Sequence, residues 1–482
     1  MKKLLLSILA ILLCLSAFTL IACNGDDNTT TDDITTTDNV TTTNGDNVTT
    51  LPSYEYNITY ELNGGINNAE NPTGYNSEDI ITLNTPTREG YFFAGWYTEQ
   101  AFENRITEIK NRAENITLYA KWVPSVTYKV NYQLNGGTNN ISNPSRYKTG
   151  DVIELGFPTK EDYMFAGWYT DSALKNEIKE INNNEENITL YAKWIPYEDM
   201  FEFSKEEEGY SLSIAPKHAV KTIIIPSSYN GFPVEEIVEA SRGEWETVEA
   251  VYVPKTVKLM ANRAFDPIGL NQRTSLKQIE IEEGNESYKS IDGVWFSKDG
   301  KTLILYPFNK TGTSYTVPNG VNVIAGSAFR ECANLEEIII PDSVTHIGGY
   351  AFYKCVALKT IVIPDSVIEI LYNAFQGCTS LESVSLSKNI DIIHLELFAQ
   401  CTSLKNIIIP NGVKEIKLFA FDGCSSLERV VIPASVETIK STAFRSCSLL
   451  TVYCEPDSMP EGWEGDYLFY DAKEVIWGYK ES

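Results

Sequence analysis

Leu335-Glu336-Glu337-Ile338-Ile339-Ile340-Pro341-Asp342-Ser343-Val344-Thr345-His346-Ile347-Gly348-Gly349-Tyr350-Ala351-Phe352-Tyr353-Lys354-Cys355 decides the reading of this chain, because its pattern returns every 23 residues. Cys332, Cys355, Cys378, Cys401, Cys424 and Cys447 keep that beat, and so do Phe329, Phe352, Phe375, Phe398, Phe421 and Phe444. Leu335, Leu358, Leu381, Leu404, Leu427 and Leu450 follow it, as do Val321, Val344, Val367, Ile390, Val413 and Val436. Pro318, Pro341, Pro364, Pro410 and Pro433 mark one point of the cycle, with Ser387 the single substitution. A period in the twenties with several apolar positions means units that cannot close a core alone and bury it against their neighbours.

Each Leu-x-x-Ile-x-Ile run reads as one strand of a parallel sheet, ended by the proline. Ser343-Val344 to Ile347 reads as a second short extended stretch, and Ala351-Phe352 as a helical turn plugging the core. The repeat closely resembles the BspA-type leucine-rich repeat. Degenerate units precede it at Thr222-Ile223-Ile224-Ile225-Pro226 and Ala250-Val251-Tyr252-Val253-Pro254. Val294 to Lys301 followed by Thr302 to Tyr306 reads as a hairpin turning at Asp299-Gly300. The solenoid is placed at 205–456, and 457–482, with Trp463 and Trp477, as its C-terminal cap.

Stacked equivalent cysteines sit about 4.8 Å apart on parallel bonds. A disulfide needs Cβ atoms about 3.8 Å apart and inclined together. The cysteines are therefore expected to be a buried ladder of free thiols, with a Cys447–Cys454 pair left open. His218, His346 and His394 do not follow the beat, and no zinc-ligand or nucleophile motif is present, so no enzyme, metal or cofactor is expected.

Alternation sends Leu335, Ile338 and Ile340 inward and leaves two outward columns. One is Ile339, Val362, Ser385, Ile408 and Val431, and beside it run Glu337, Thr360, Ser383, Asn406 and Arg429. The largely apolar column is either a partner-binding stripe or β-branched residues that merely suit a strand. A third column, Glu336, Lys359, Glu382, Lys405 and Glu428, alternates in sign.

Ahead of the solenoid a 72-residue block occurs twice. Tyr60-Glu61-Leu62-Asn63-Gly64-Gly65 recurs as Tyr132-Gln133-Leu134-Asn135-Gly136-Gly137, Ala94 to Thr98 as Ala166 to Thr170, and Asn115 to Trp122 as Asn187 to Trp194. Tyr56, Ile58, Tyr60 and Leu62 alternate as in a half-buried strand, with a turn at Asn63-Gly64-Gly65. The motifs resemble the internalin-type B repeat, or Listeria–Bacteroides repeat, over 54–124 and 126–196. The resemblance implies a β-grasp-like spacer module. Trp96, Trp122, Trp168 and Trp194 read as core residues rather than a sugar-stacking platform.

At the N-terminus Met1-Lys2-Lys3 and the apolar run Leu4 to Phe18 lead into Leu20-Ile21-Ala22-Cys23. This resembles the lipobox of bacterial lipoproteins, which implies a signal peptide at 1–22, cleavage before Cys23 and lipid on its thiol. Residues 23–53, rich in Thr, Asn and Asp, read as a disordered tether. The net charge of −26 argues against nucleic acid and against docking on anionic headgroups. The expectation is thus a mostly β protein with short helical turns: two tandem β-grasp-like modules, then a leucine-rich-repeat solenoid with a parallel sheet. It would be exported, lipid-anchored to the outer face of a bacterial membrane, and monomeric. Its sheet face would bind a protein on a host, matrix or neighbouring cell, the membrane being touched through the lipid alone. The alternatives are a structural spacer or coat protein without a specific ligand, and, less favoured, a hydrolase.

Overall fold

The computed structural model describes residues 54–182, 185–265, 274–464 and 468–480. The signal segment, the lipobox with Cys23 and the tether lie outside the described residues. Among the described residues the chain is β throughout; the helical segments are two single 3-10 turns, Tyr197–Asp199 and Trp245–Thr247.

In the first module, Tyr56–Glu61 lies parallel to the last strand, Ile116–Pro124, at the centre of a five-stranded sheet. Gly74–Tyr75 flanks one side, and Tyr91–Tyr97 with Arg105–Ile106 the other. The second module repeats this order strand for strand, from Arg146–Lys148 through Thr127–Gln133, Ile188–Pro196 and Tyr163–Tyr169 to Glu177–Ile178. It is the strand order of a β-grasp sheet, here with no α-helix across it among the described residues. Trp96 and Trp168 are buried, and each indole N–H donates to a loop carbonyl, of Asn84 and Gly156, at 3.1 Å. Trp122 and Trp194 cap the turns at Leu62 and Leu134 in the same way. A Cβ on Gly65 would sit 2.4 Å from the Trp122 ring, which accounts for the second glycine of that turn. Trp96 and Trp168 are core residues, and Trp122 and Trp194 are half-buried and pack against the same cores.

The solenoid has two blocks. Thr222–Ile224, Ala250–Val253 and Gln278–Ile281 form a parallel three-stranded sheet. A parallel eight-stranded sheet then runs from Ser314–Thr316 to Glu474–Ile476, one strand per unit. Between them stand three antiparallel strands, Tyr288–Ile291, Val294–Ser297 and Thr302–Leu305. The hairpin turning at Asp299-Gly300 is present. A second, at Asp292 (φ 49°) and Gly293 (φ 69°), was not foreseen; both residues are left-handed, as a two-residue hairpin turn with the native twist requires. Neighbours on a strand face opposite ways, so Trp295 enters the core of the first block and Phe296 that of the second. The middle strand thereby joins the two cores.

The second short stretch of each unit is also a strand, as at His346–Ile347 and Glu369–Ile370. The Ala-Phe segment corrects the expectation of a helical turn. The Ala351 N–H closes a local turn onto Gly348, but the phenylalanine N–H groups bond to the next unit, Phe352 to Ala374 and Phe375 to Leu397, so the bonding alternates instead of running along a helix. Tyr350, Asn373, Glu396 and Phe419 there are left-handed (φ 52–59°), a conformation no α-helix contains. The plugging role stands, since the phenylalanines are buried in one column with ring centroids 5.0–5.6 Å apart and planes within 14° of parallel. The cap goes further than expected. Glu474–Ile476 adds a strand to the sheet, and buried Trp463 donates to the Val436 carbonyl at 3.1 Å.

All seven described cysteines are free and buried, Cys447 and Cys454 included. Each thiol from Cys355 to Cys447 donates to the carbonyl of the phenylalanine 26 residues earlier, at 3.0–3.2 Å. That carbonyl also takes a backbone N–H within its own unit, as Phe352 does from Cys355 at 3.1 Å. The thiol thus fills a second lone pair in an otherwise apolar column, which a purely aliphatic side chain could not do.

Candidate binding surface

The outward columns of the eight-stranded sheet can be followed strand by strand. Ile339, Val362 and Ile408 are 49%, 66% and 62% exposed, and Ser385 between them is exposed too. The polar column pairs Glu337 with Thr360, Ser383 with Asn406 and Asn406 with Arg429 across neighbouring strands. Nine of the ten residues expected on this face do lie on its open side.

Val431 is the correction. It is 4% exposed, because its neighbour on the next strand is Tyr453, whose ring packs at 4.9 Å against Tyr479 of the cap. Arg429 lies over both rings and donates to the Tyr479 hydroxyl at 2.8 Å. The stripe therefore ends at Ile408, with Arg429 as its rim. The sign-alternating column resolves into pairs: Lys359 bonds Glu336, and Lys405 bonds Glu382 at 3.0 Å.

The same face of the first block is covered. The second module lies across it, with Phe157 edge-on to Tyr252 at 4.7 Å and Lys221 bonded to Glu177 at 3.0 Å. That hydrogen bond raises the Lys221 pKa above the ordinary lysine value. Met164 and Ile195 of the module join the core of the first block. Clefts of about 450 and 650 Å³ flank the Phe157–Tyr252 contact. Sequence reading missed this docking. The available signal was Phe157 standing where the first module has Thr85, opposite an outward Tyr252.

No group of three or more His, Cys, Asp or Glu suited to a metal occurs among the described residues, and no helix there is long and apolar enough to cross a membrane. Burial pushes the Cys378 thiol up to about 12. His218 faces Asp199, and His346 bonds Thr345.

The architecture is that of a modular repeat protein, two small β modules ahead of a leucine-rich-repeat solenoid. Residues 56–121 and 128–193 match the Listeria-Bacteroides repeat domain, and 322–451 match six copies of the BspA type leucine rich repeat region. A protein of Evansella cellulosilytica named as a membrane protein is 34% identical over 155 residues, 31% of this chain and 23% of that one. Internalin H of Listeria monocytogenes is 32% identical over 124 residues, 24% of this chain and 22% of that one. This chain thus spans less than a quarter of the length of the curated relatives it matches. A leucine-rich repeat protein from Eubacterium ventriosum, of known crystal structure, is 19% identical over 59% of this chain and 94% of that one, with a TM-score of 0.42. The chain therefore combines two Listeria–Bacteroides repeats with a BspA-type leucine-rich-repeat region.

Proposed function

We propose that this is a cell-surface binding protein, adhesin-like, held to the membrane by lipid on Cys23, with its modules as spacers and the open sheet face recognising a protein partner. The exposed Ile339, Val362 and Ile408 on one strip of a rigid sheet carry the reading, since three large apolar side chains aligned in water are costly unless something covers them. Glu337, Thr360, Ser383, Ser385 and Asn406 supply polar groups beside them, and Arg429 the rim. Recognition rather than catalysis fits a broad, shallow strip whose nearby thiols are buried and protonated. The test is Val362→Glu with Ile408→Glu. Binding to cells or matrix should fall at least tenfold while hydrogen exchange in the sheet is unchanged; unaltered binding by the folded variant would remove this face from the function.

A further inference from the structure

The two modules are copies 72 residues apart, yet only one has its cleft face occupied. In the second module that face rests on the outward side of the first solenoid sheet, through Phe157 on Tyr252 and Glu177 on Lys221. In the first module the equivalent face is an open cleft of about 520 Å³. Its side chains register the missing cover. Phe92, although its ring rests against Gly150 of the second module, is 37% exposed where its counterpart Met164 is 1% exposed, and Phe93 is half-buried where Phe165 is buried.

An unoccupied counterpart of the docking sheet also exists. Counting back from the prolines, Ile224 (two before Pro226) corresponds to Ile339 (two before Pro341), and Thr222 to Glu337. The columns that the second module covers in the first block are therefore the columns left open in the second block.

The charge of the cleft reverses between the two modules. Glu177 of the docked module is replaced by Arg105, 72 residues earlier, and the open cleft is lined by Arg88 and Arg105 with no carboxylate. Lys221, five before Pro226, shares its column position with Glu336, Lys359, Glu382, Lys405 and Glu428, a column in which Glu336 and Glu382 already pair with Lys359 and Lys405. An arginine cleft laid on this column meets a glutamate in every second unit, so the Glu–Lys contact within the chain has an Arg–Glu counterpart between the two surfaces.

We infer that the cleft of the first module docks on the open sheet face of a second copy of this chain. The first module's core is built of its own residues. Donor and acceptor are different patches, so the contact is heterologous, and copies add head to tail rather than closing as a symmetric pair. This inference rests on the sheet face being a binding surface and names one partner for it, replacing the expectation of a monomer.

The experiment is sedimentation velocity on the full chain across a concentration series at about 0.15 M salt. There the screening length is about 8 Å, which damps repulsion between acidic copies but not a contact pair. The unaltered chain should form species growing with concentration. Arg105→Glu should weaken association at least tenfold, as should Glu336→Lys with Glu382→Lys and Glu428→Lys. All these positions are exposed or half-exposed, and unchanged hydrogen exchange checks the fold. Mixing the Arg105→Glu chain with the triple-lysine chain should restore association, with the two chains alternating, because the altered cleft of the first meets the lysines of the second and the unaltered Arg105 cleft of the second meets the unaltered glutamates of the first. A chain monomeric at every concentration, or an Arg105→Glu chain associating like the unaltered one, overturns the inference. If the chain is monomeric and Val362→Glu with Ile408→Glu still abolishes binding to cells, this inference falls while the proposed function stands.

Discussion

Phe375 sits in the middle of the aromatic column, fully buried, with Phe352 at 5.0 Å and 8° on one side and Phe398 at 5.5 Å and 9° on the other. Phe375→Ala removes the ring from a site that neighbouring units hold open, and such truncations cost about 3–5 kcal/mol. Phe375→Leu separates burial from stacking. It retains most of the apolar volume and forfeits two ring pairs worth about 0.5–1.5 kcal/mol each, for a loss of about 1–3 kcal/mol. Total stability of a domain is about 5–15 kcal/mol, so the alanine lesion is a large share of it. In a nearest-neighbour array it weakens both interfaces of the unit at once. Hydrogen exchange resolved by strand is the assay, because several modules unfolding together do not give one two-state transition. The amides of Ile363 (to Ser385 O, 2.8 Å) and Phe375 (to Leu397 O, 3.0 Å) report from within the lesion. Their exchange should quicken by roughly two to three and a half orders of magnitude in the alanine variant, at about 1.4 kcal/mol per tenfold. Strands of the two N-terminal modules should keep their rates. Less than tenfold acceleration for alanine would refute the claim that the column holds the solenoid together; a leucine variant equal to the unaltered chain would refute any stacking contribution beyond burial.

The thiols give a pH dependence. Burial raises Cys378, Cys447 and Cys454 to about 12 from 9.0, so above pH 9 the unfolded chain releases protons that the folded chain retains. Stability should be flat through neutral pH and fall from pH 9 upward, by up to about 1.4 kcal/mol per pH unit per thiol, in urea titrations at pH 7 to 10.5; a constant midpoint there would contradict the protonated ladder. A thiol reagent at pH 7.5 should label these cysteines only after denaturant is added, and fast labelling of the native chain would do the same damage. Phe157→Ala with Lys221→Glu should free the second module from the first block. It should raise the radius of gyration in small-angle scattering and hasten proteolysis near Tyr197–Asp199; an unchanged radius would mean that Met164 and Ile195 suffice to hold the modules.

The solenoid's inward face was readable because its information is local and repeated. Leucine, isoleucine, phenylalanine and cysteine recur at intervals of 23, and each falls on the position the alternation assigns. The Ala-Phe turn was misread for a physical reason. Left-handed positions usually announce themselves as glycine, but here Tyr350 and Glu396 adopt that backbone, held by bonds to the following unit. That support lies 22 residues away in sequence, as from Tyr350 N–H to Tyr372 O, so no local pattern discloses it. The hairpin at Asp292-Gly293 carried a local signal, an Asp-Gly pair between alternating runs, and was missed beside the stronger Asp299-Gly300 turn.

The outward face poses a different problem, since the pattern assigns a side and not an occupant. Val362 and Val431 share residue type and column, yet one is 66% exposed and the other 4%, because Tyr453 and the cap reach only the second. Ile224 shares the column again and lies under the second module. Five strands, Ser314–Thr316 to Asn406–Ile408, remain open. At about 4.8 Å per strand they make a strip roughly 20 Å long, and two outward columns about 7 Å apart give it an area of roughly 140 Å². A stable interface buries about 800 Å² on each partner. The apolar stripe is therefore the centre of a larger footprint, which must extend over the charged column of Glu336, Lys359, Glu382 and Lys405 on one side. Apolar residues at the centre would then supply most of the affinity, while the charge pairs at the margin select the partner and its register. A partner presenting a small module with a basic, aromatic-walled cleft meets both requirements, whereas an extended peptide along the stripe alone would meet only the first.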